Sequence, residues 1–148
     1  MKILYDTNIV LDLFLERAPY VNDALKLFNY LENGTIKGFL CATTITTLEY
    51  LLNKTLKAKK ANEIISVLLK LFEIAPVNRL VLEEALSVSF HDFEDAVLYQ
   101  SAIHCGAEGI VTRDTKGFKN ADFPIYTPKE MLTIVASQSS KFFLSEKH

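Results

Sequence analysis

Short apolar runs alternate along this chain with longer segments in which apolar residues recur at helical spacing. The first run, Ile3 to Tyr5, suits a strand that is buried on both faces, and it ends at Asp6. The pattern then changes to helical spacing, so a strand passes into a helix at Asp6. Further strands are predicted at 36–42, 74–77, 107–114 and 125–126, where the run at 74–77 is either an edge strand or an extended connector. Strands that alternate with helices in this way predict a parallel sheet covered on both faces.

Helices are predicted in the segments between these strands and after the last one. Helical spacing covers residues 19–33, 45–52, 64–72, 78–89, 92–105 and a segment that begins at Pro128. The Thr43-Thr44 pair is predicted to cap the helix that follows the second strand. We expect one domain over residues 1–136 and a C-terminal tail over residues 137–148. That tail contains Phe142-Phe143-Leu144 and is expected to be either loose or a docking segment.

The charge balance limits how the protein can bind nucleic acid. The 148 residues include 16 Lys and Arg against 18 Asp and Glu, a formal charge of -2. No global basic field recruits a polyanion, so any such binding needs a local patch. The densest positive run, Lys54 to Lys60, has two interpretations: a solvated helix connection or an edge that contacts phosphates.

The cysteines and the apolar runs indicate the compartment. Cys41 and Cys105 lie in apolar surroundings without metal-site spacing, which favours reduced thiols over a disulfide or a zinc site. The apolar residues after Met1 are too few for a signal sequence, and no run approaches the length of a membrane span. We therefore expect a cytoplasmic protein that does not contact membranes.

The candidate chemistry comes from acids at the ends of predicted elements. Asp6 and Asp114 each end a predicted strand, while Asp92 and Asp95 share one face of a predicted helix start. If the two strands are neighbours in a parallel sheet, all these carboxylates can meet at one edge. Like charges there would repel by about 4 kcal/mol per close pair at an effective dielectric of 20. An all-oxygen site suits Mg²⁺ or Mn²⁺, and a carboxylate-held ion of this kind suits phosphoryl chemistry.

Each of these acids also has a purely structural interpretation, which the pattern alone leaves open. Asp6 can start a helix, Asp92 can be an N-cap with Asp95 at the third helical position, and Asp114 can form a turn. A haloacid-dehalogenase-type phosphatase would need a second Asp two positions after Asp6. Asn8 stands there instead.

Three blocks together resemble the signature of PIN-domain nucleases. They are Asp6-Thr7-Asn8, Asp92-Phe93-Glu94-Asp95-Ala96, and Val111-Thr112-Arg113-Asp114 followed by Phe118. The resemblance implies a PIN-like three-layer α/β/α sandwich with a central parallel sheet, whose carboxylates bind Mg²⁺ or Mn²⁺ and cleave RNA. Many relatives are toxins of type II toxin-antitoxin pairs, so an antitoxin protein is an expected partner and a homodimer the expected assembly.

Carried over position by position, the resemblance assigns roles to individual residues. Asp6, Asp95 and Asp114 match the family's acids, Asp92 is a frequent extra carboxylate, and Asn8 and Thr112 match accessory polar positions. The family usually adds an acid on the helix after the second strand, where Glu49 is the only acidic candidate. The position of the family's acid can instead correspond to Thr47, which is two residues from Glu49 and so lies some 200° from it around the helix.

Two functions from different classes follow from these observations. The first is a metal-dependent endoribonuclease, the toxin of a toxin-antitoxin pair, in which Arg113 or the Lys54 to Lys60 run steadies the RNA backbone. The alternative is a catalytically weak PIN-like module that binds RNA or protein, which the negative net charge and the open question at Glu49 motivate.

Overall fold

A five-stranded parallel sheet forms the centre of the molecule. The structure is a computed structural model that describes the backbone of residues 1–146 and the side chains of residues 1–138. The strands are β1 (Lys2–Tyr5), β2 (Lys37–Cys41), β3 (Glu73–Ala75), β4 (Gly109–Val111) and β5 (Ile125–Tyr126). Their spatial order is β3-β2-β1-β4-β5, and every neighbouring pair is parallel. From β1 the chain first builds β2 and β3 on one side and later β4 and β5 on the other. The connections therefore diverge between β1 and β4, which is where ligands bind in such folds.

Helices cover both faces of this sheet. They are α1 (Thr7–Phe14), α2 (Val21–Glu32), α3 (Ala42–Thr55), α4 (Ala58–Leu71), α5 (Arg79–Ser87), α6 (Phe93–His104) and α7 (Pro128–Glu146), with a short 3₁₀ helix at Thr115–Phe118. Ile3 and Tyr5 of β1 face a core built with α1, α2, α3, α4 and α7. Leu4 faces the opposite core, which α5 and α6 close. The predicted three-layer α/β/α sandwich with a central parallel sheet is therefore confirmed.

The sequence pattern predicted most elements but placed some of their ends wrongly. β4 stops at Val111, so Asp114 lies in a turn three residues beyond the strand instead of at its end. Thr43 and Thr44 lie inside the first turn of α3, because the helix already begins at Ala42 with Cys41 in the cap position. Both cysteines are free thiols, as the sequence indicated.

The last helix passes through the expected start of the tail. α7 runs without a break from Pro128 through residue 136 to Glu146. The side chains of Phe142, Phe143 and Leu144 lie outside the described residues, and the division into a domain and a tail stays a prediction. Within the described part of the chain, no helix combines the length and the apolar character that crossing a membrane requires.

Candidate active site

The carboxyl ends of β1 and β4 bring two distant segments together. Tyr5 and Val111 are register partners in the parallel pair, and the Asp6 amide continues the ladder by donating to the Val111 carbonyl at 3.0 Å. Asp6 and Thr112 are therefore neighbours at one edge of the sheet, although 106 positions separate them in the chain. The sequence predicted that Asp6 and Asp114 end neighbouring strands; the structure pairs β1 with β4, and the residue next to Asp6 at that edge is Thr112.

Asp6 is the most deeply placed acid of this edge. Its residue is 8% exposed, and it caps α1 by accepting from the Thr7 amide at 2.7 Å. The second carboxylate oxygen, Oδ2, accepts from the Thr112 hydroxyl at 2.8 Å. Burial raises the pKa of Asp6 most, the two hydrogen bonds lower it, and the charges of Asp114 and Glu94 raise it further. The helix-start and site roles of Asp6 thus coincide in one side chain.

Asn8 and Thr112 hold Asp6 in place. The Asn8 amide group donates to Asp6 Oδ2 at 3.4 Å and to the Thr112 hydroxyl at 3.3 Å, while its oxygen accepts from the Arg113 amide at 3.2 Å. The Thr112 hydroxyl also accepts from the Asp114 amide at 2.9 Å. The two residues therefore connect Asp6 with the start of the turn that contains Asp114.

Asp95 completes the group from α6. Its pKa is raised to about 7, mainly by burial and then by the negative charges of Asp6, Asp92, Asp114 and Glu94. An acid that four other carboxylates influence lies within a concentrated negative field. A proton or a cation must offset that field.

Gly117 shows how near Asp95 and Asp114 come to each other. A Cβ atom at Gly117 would lie 2.7 Å from Asp95 Oδ2 and 3.0 Å from Asp114 Oδ2. The two carboxylates therefore approach the same point of the 3₁₀ helix, whose start Asp114 caps by accepting from the Gly117 amide at 3.3 Å. The backbone after β4 leaves this space open because residue 117 has no side chain.

Asp92 forms the N-cap of α6, the structural alternative considered for it. Its Oδ1 accepts from the amides of Glu94 at 2.7 Å and Asp95 at 3.3 Å. Its charge nevertheless contributes to the raised pKa of Asp95. The structure thus places Asp92 beside the cluster with one carboxylate oxygen already engaged by the backbone.

The structure does not bring Glu49 to this group of acids. Glu49 is exposed on α3 and accepts a hydrogen bond from Asn53 one turn further on. Thr47 faces the site instead, with its hydroxyl 3.4 Å from the Glu94 carboxylate. Glu94 also influences both Asp6 and Asp95, so it is a site acid that sequence reasoning missed. Its place in the block that contains Asp92 and Asp95 was the available signal.

The donor set fits a hard divalent cation in its chemistry. Every acid of the group offers carboxylate oxygen, the ligand that Mg²⁺ and Mn²⁺ prefer. As they stand, however, no three His, Cys, Asp or Glu side chains among the described residues are arranged to hold one ion. Asp114 and Glu94 are exposed, so other side-chain rotamers are accessible to them.

The two candidate contacts to the RNA backbone, Arg113 and the Lys54 to Lys60 run, differ in their surroundings. The Arg113 guanidinium, 26% exposed, pairs with the buried Asp12, and this hydrogen bonding raises the pKa of Arg113. The lysines of 54–60 are exposed around the connection between α3 and α4. Lys54 lies over the Tyr50 ring at 4.4 Å from its centroid.

A parallel sheet with acids at the edge where its two halves diverge is the arrangement that the sequence led us to expect of a PIN domain. Residues 2–116 match the PIN domain family, and the chain belongs to it. Among its relatives in sequence is Ribonuclease VapC1 of Aquifex aeolicus (strain VF5). The two are 28% identical over 134 residues, which make up 87% of this chain and 92% of that protein.

Solved structures of the same fold come from several bacteria. A toxin-antitoxin complex from Klebsiella pneumoniae superposes with a TM-score of 0.66 at 22% identity, covering 85% of this chain and 97% of that chain. VapBC2 from Rickettsia felis, bound to a promoter DNA fragment, gives 0.63 at 19% identity, with 86% and 98% covered. Mycobacterium tuberculosis VapC20, a sarcin-ricin loop cleaving toxin, gives 0.64 at 15% identity, with 82% and 98% covered. At such identities the likeness shows the fold.

Proposed function

We propose that this protein is a metal-dependent endoribonuclease and the toxin of a type II toxin-antitoxin pair. One observation carries the proposal: Asp6, Asp95 and Asp114 come from three separate segments, yet Asp95 and Asp114 approach the same point at Gly117 and the Thr112 hydroxyl joins Asp6 to the Asp114 amide. The similarity to Ribonuclease VapC1 supports RNA as the substrate class, and the toxin-antitoxin complexes among the structural neighbours support a protein partner.

Each residue of the site has a defined task in this proposal. Asp6, Asp95 and Asp114 hold Mg²⁺ or Mn²⁺, with Glu94 as the additional carboxylate on the side of α3. When bound, such an ion lowers the pKa of water and offsets charge on a phosphodiester. Thr112 and Asn8 fix Asp6 through the hydrogen bonds described above, so that one donor is placed before the ion arrives.

An antitoxin and a second copy of the chain are the proposed protein partners. The structural neighbours from Klebsiella pneumoniae and Rickettsia felis are described as a toxin-antitoxin complex and as VapBC2, respectively. A small reading frame next to this one whose product binds the protein and suppresses RNA cleavage would support the toxin assignment. A cytoplasmic location follows from the same proposal.

The test of the chemistry is cleavage of RNA by the purified protein. With Mn²⁺ or Mg²⁺ we expect cleavage that chelation stops and that Asp6→Asn abolishes, because Asp6 is the fixed carboxylate of the site. Asp122→Asn makes the same chemical change at an exposed acid outside the site and should leave cleavage intact. Unchanged cleavage by Asp6→Asn would overturn the assignment.

A second candidate function is a catalytically weak module that binds RNA or protein. It is favoured by the finding that no three acids of the described residues already surround a point where one ion could be held. Thermal unfolding separates the two candidates, because an ion that binds the folded protein stabilises it by about 2.7 kcal/mol at 100 times its Kd. Absence of any shift with millimolar Mn²⁺ would favour the binding module.

A further inference from the structure

A cavity of about 310 Å³ opens beside the carboxylate cluster at the same edge of the sheet. Its lining residues come from the starts of α2 and α7 and from the turn after β4: Tyr20, Asp23, Arg113, Thr127, Pro128 and Lys129. Tyr20 directly precedes α2, and Pro128 is the first residue of α7. The proposed catalysis does not use this cavity.

Two flat groups form one wall of the cavity. The Arg113 Cζ atom lies 3.8 Å from the centroid of the Tyr20 ring, so the guanidinium rests on the aromatic face. Tyr20 is 42% exposed. A phenol ring that remains this accessible after stacking on an arginine still offers aromatic surface to a ligand.

The orientation of the guanidinium is fixed from behind. Arg113 Nε lies 2.6 Å from Asp12 Oδ2, and Nη2 lies 3.0 Å from Asp12 Oδ1, a two-point contact that sets the plane of the group. Asp12 is 1% exposed and is held on α1. The wall is therefore arranged before any ligand arrives, which lowers the cost of ordering it on binding.

The charges of the lining favour a flat neutral group over a free phosphate. Arg113 is paired with Asp12, and Lys129 is paired with Asp23 at 3.2 Å, so both cations of the lining already have an acidic partner. Tyr20 and Pro128 add apolar surface. Nucleobases stack on aromatic rings and on guanidinium planes in this way when a protein binds single-stranded RNA.

Arg113 connects the cavity with the proposed catalytic acids. The Arg113 amide donates to Asn8, and Asn8 donates to Asp6, while Asp114 is the next residue in the chain. We propose that Tyr20 and Arg113 form a base-binding subsite for the nucleotide next to the cleaved phosphodiester. This inference rests on the proposed ribonuclease function.

Fluorescence of an introduced tryptophan tests base binding without cleavage. The chain contains no tryptophan, so Tyr20→Trp introduces a single reporter in the wall of the cavity. In EDTA, short single-stranded homopolymers of the four ribonucleotides are titrated, together with an abasic oligomer of the same length. At least one base-bearing oligomer should quench the fluorescence saturably, because its base stacks on the indole, and the abasic oligomer should not.

Tyr50→Trp is the matched control. Tyr50 is also an exposed tyrosine beside a cation, Lys54, but it lies on α3 and lines none of this cavity. Its tryptophan should show no saturable quenching by the oligomer that quenches Tyr20→Trp. Equal quenching in both variants, or quenching by the abasic oligomer, would overturn the subsite, since the signal would then report general contact with RNA.

Cleavage kinetics supply the second measurement. Tyr20→Ala should raise KM for RNA by roughly 10-fold or more, whereas Tyr20→Phe, which keeps the ring, should stay near the wild-type value. If the wild-type protein cleaves RNA but Tyr20→Ala has an unchanged KM and no oligomer quenches Tyr20→Trp, the subsite is wrong and the ribonuclease stands. If oligomers quench Tyr20→Trp but no condition gives cleavage, the cavity binds bases, but the proposed reaction is wrong and with it the place of this site next to a cleaved phosphodiester.

Discussion

The hydroxyl of Thr47 lies 3.4 Å from the Glu94 carboxylate and so connects the middle of α3 with the start of α6. An exposed glutamate has several rotamers, and a hydrogen bond of this kind selects among them. The selected one directs negative charge towards Asp6 and Asp95, whose pKa values Glu94 helps to raise. The contact therefore joins a threonine on α3 to a glutamate whose charge lies near Asp6 and Asp95.

This pairing predicts that a carboxylate at position 47 can replace the one at position 94. Glu94→Gln should weaken Mn²⁺ binding roughly 10-fold or more, a typical loss when a group near a metal site is removed. Adding Thr47→Glu to that variant should restore much of the affinity, because a carboxylate then approaches from the other side. Isothermal titration with Mn²⁺ measures both changes directly.

Glu63→Gln provides the control for these variants, since Glu63 is an exposed acid on α4. It should bind Mn²⁺ as the wild-type protein does. Wild-type affinity in Glu94→Gln would show that Glu94 is no part of the site. Failure of Thr47→Glu to restore binding would show that the contact does not place a carboxylate where the ion needs it.

Single residues differ in how well the sequence could predict them. Asp6, Asp95 and Asp114 were candidates because Asp6 ends the first apolar run, Asp95 lies in an acid-rich helix start and Asp114 ends the predicted strand at 107–114, although that strand stops at Val111. Glu94 lies in the same block as Asp92 and Asp95, but the side that a helical acid faces depends on how α6 packs on the sheet. Glu49 and Thr47 could not be separated either, because the register of α3 is set by packing of buried residues such as Leu48 and Leu52.

At the scale of elements, α6 controls the direction in which its first acids point. Seven consecutive residues, 96–102, are buried along it, so the helix cannot turn about its axis. Its first turn is fixed by the Asp92 cap through the amides of Glu94 and Asp95. The position of both site acids on α6 thus depends on one capping carboxylate.

Substitution of Asp92 separates its capping function from metal binding. Asp92→Ser keeps a good N-cap and should leave both stability and the Mn²⁺-induced thermal shift near wild type. Asp92→Ala removes the cap and should cost about 0.5–2 kcal/mol of unfolding free energy, measured by urea denaturation without metal. A lost Mn²⁺ shift in stable Asp92→Ser would instead make Asp92 a metal ligand, as the resemblance suggested.

Periodicity predicted the elements but not all their ends. The helix at 19–33 and the edge strand near Pro76 were found close to their observed bounds, α2 and β3. The predicted strand at 107–114 was too long at both ends. Ala107 still bonds back to Ala102 at the end of α6, and the chain turns at Thr112 to reach the 3₁₀ helix.

At the scale of the whole molecule, strand order creates the site. The pattern of strands predicted a parallel sheet, but only the pairing of β1 with β4 makes Asp6 a neighbour of Thr112. That pairing joins residues more than one hundred positions apart and is not encoded in any local pattern. Acids collected in this way carry a repulsion that the formal charge of -2 does not reveal.

Burial of Asp95, together with this repulsion, makes stability depend on pH in a direction opposite to that of most proteins whose acids are paired with cations. The folded-state pKa of Asp95 is about 7, against an ordinary value of 3.8, so the folded protein binds more protons than the unfolded chain between those values. Unfolding free energy contributed by Asp95 therefore falls as pH rises through this range. In EDTA, the wild-type protein should lose stability from about pH 6 to about pH 8 relative to Asp95→Asn, which cannot ionise there. Urea denaturation of both proteins measures the difference and cancels the histidines and cysteines that they share.

Bound metal should reverse this behaviour. Since a cation needs ionised carboxylates, the Mn²⁺-induced increase in the unfolding free energy of the wild-type protein should be larger at about pH 8 than at about pH 6. Asp95→Asn should gain little stability from Mn²⁺ at either pH. If the wild-type protein and Asp95→Asn show the same pH dependence in EDTA, Asp95 does not lie in the negative field described above. If Asp95→Asn keeps the full Mn²⁺-induced increase in unfolding free energy, the ion is held without Asp95.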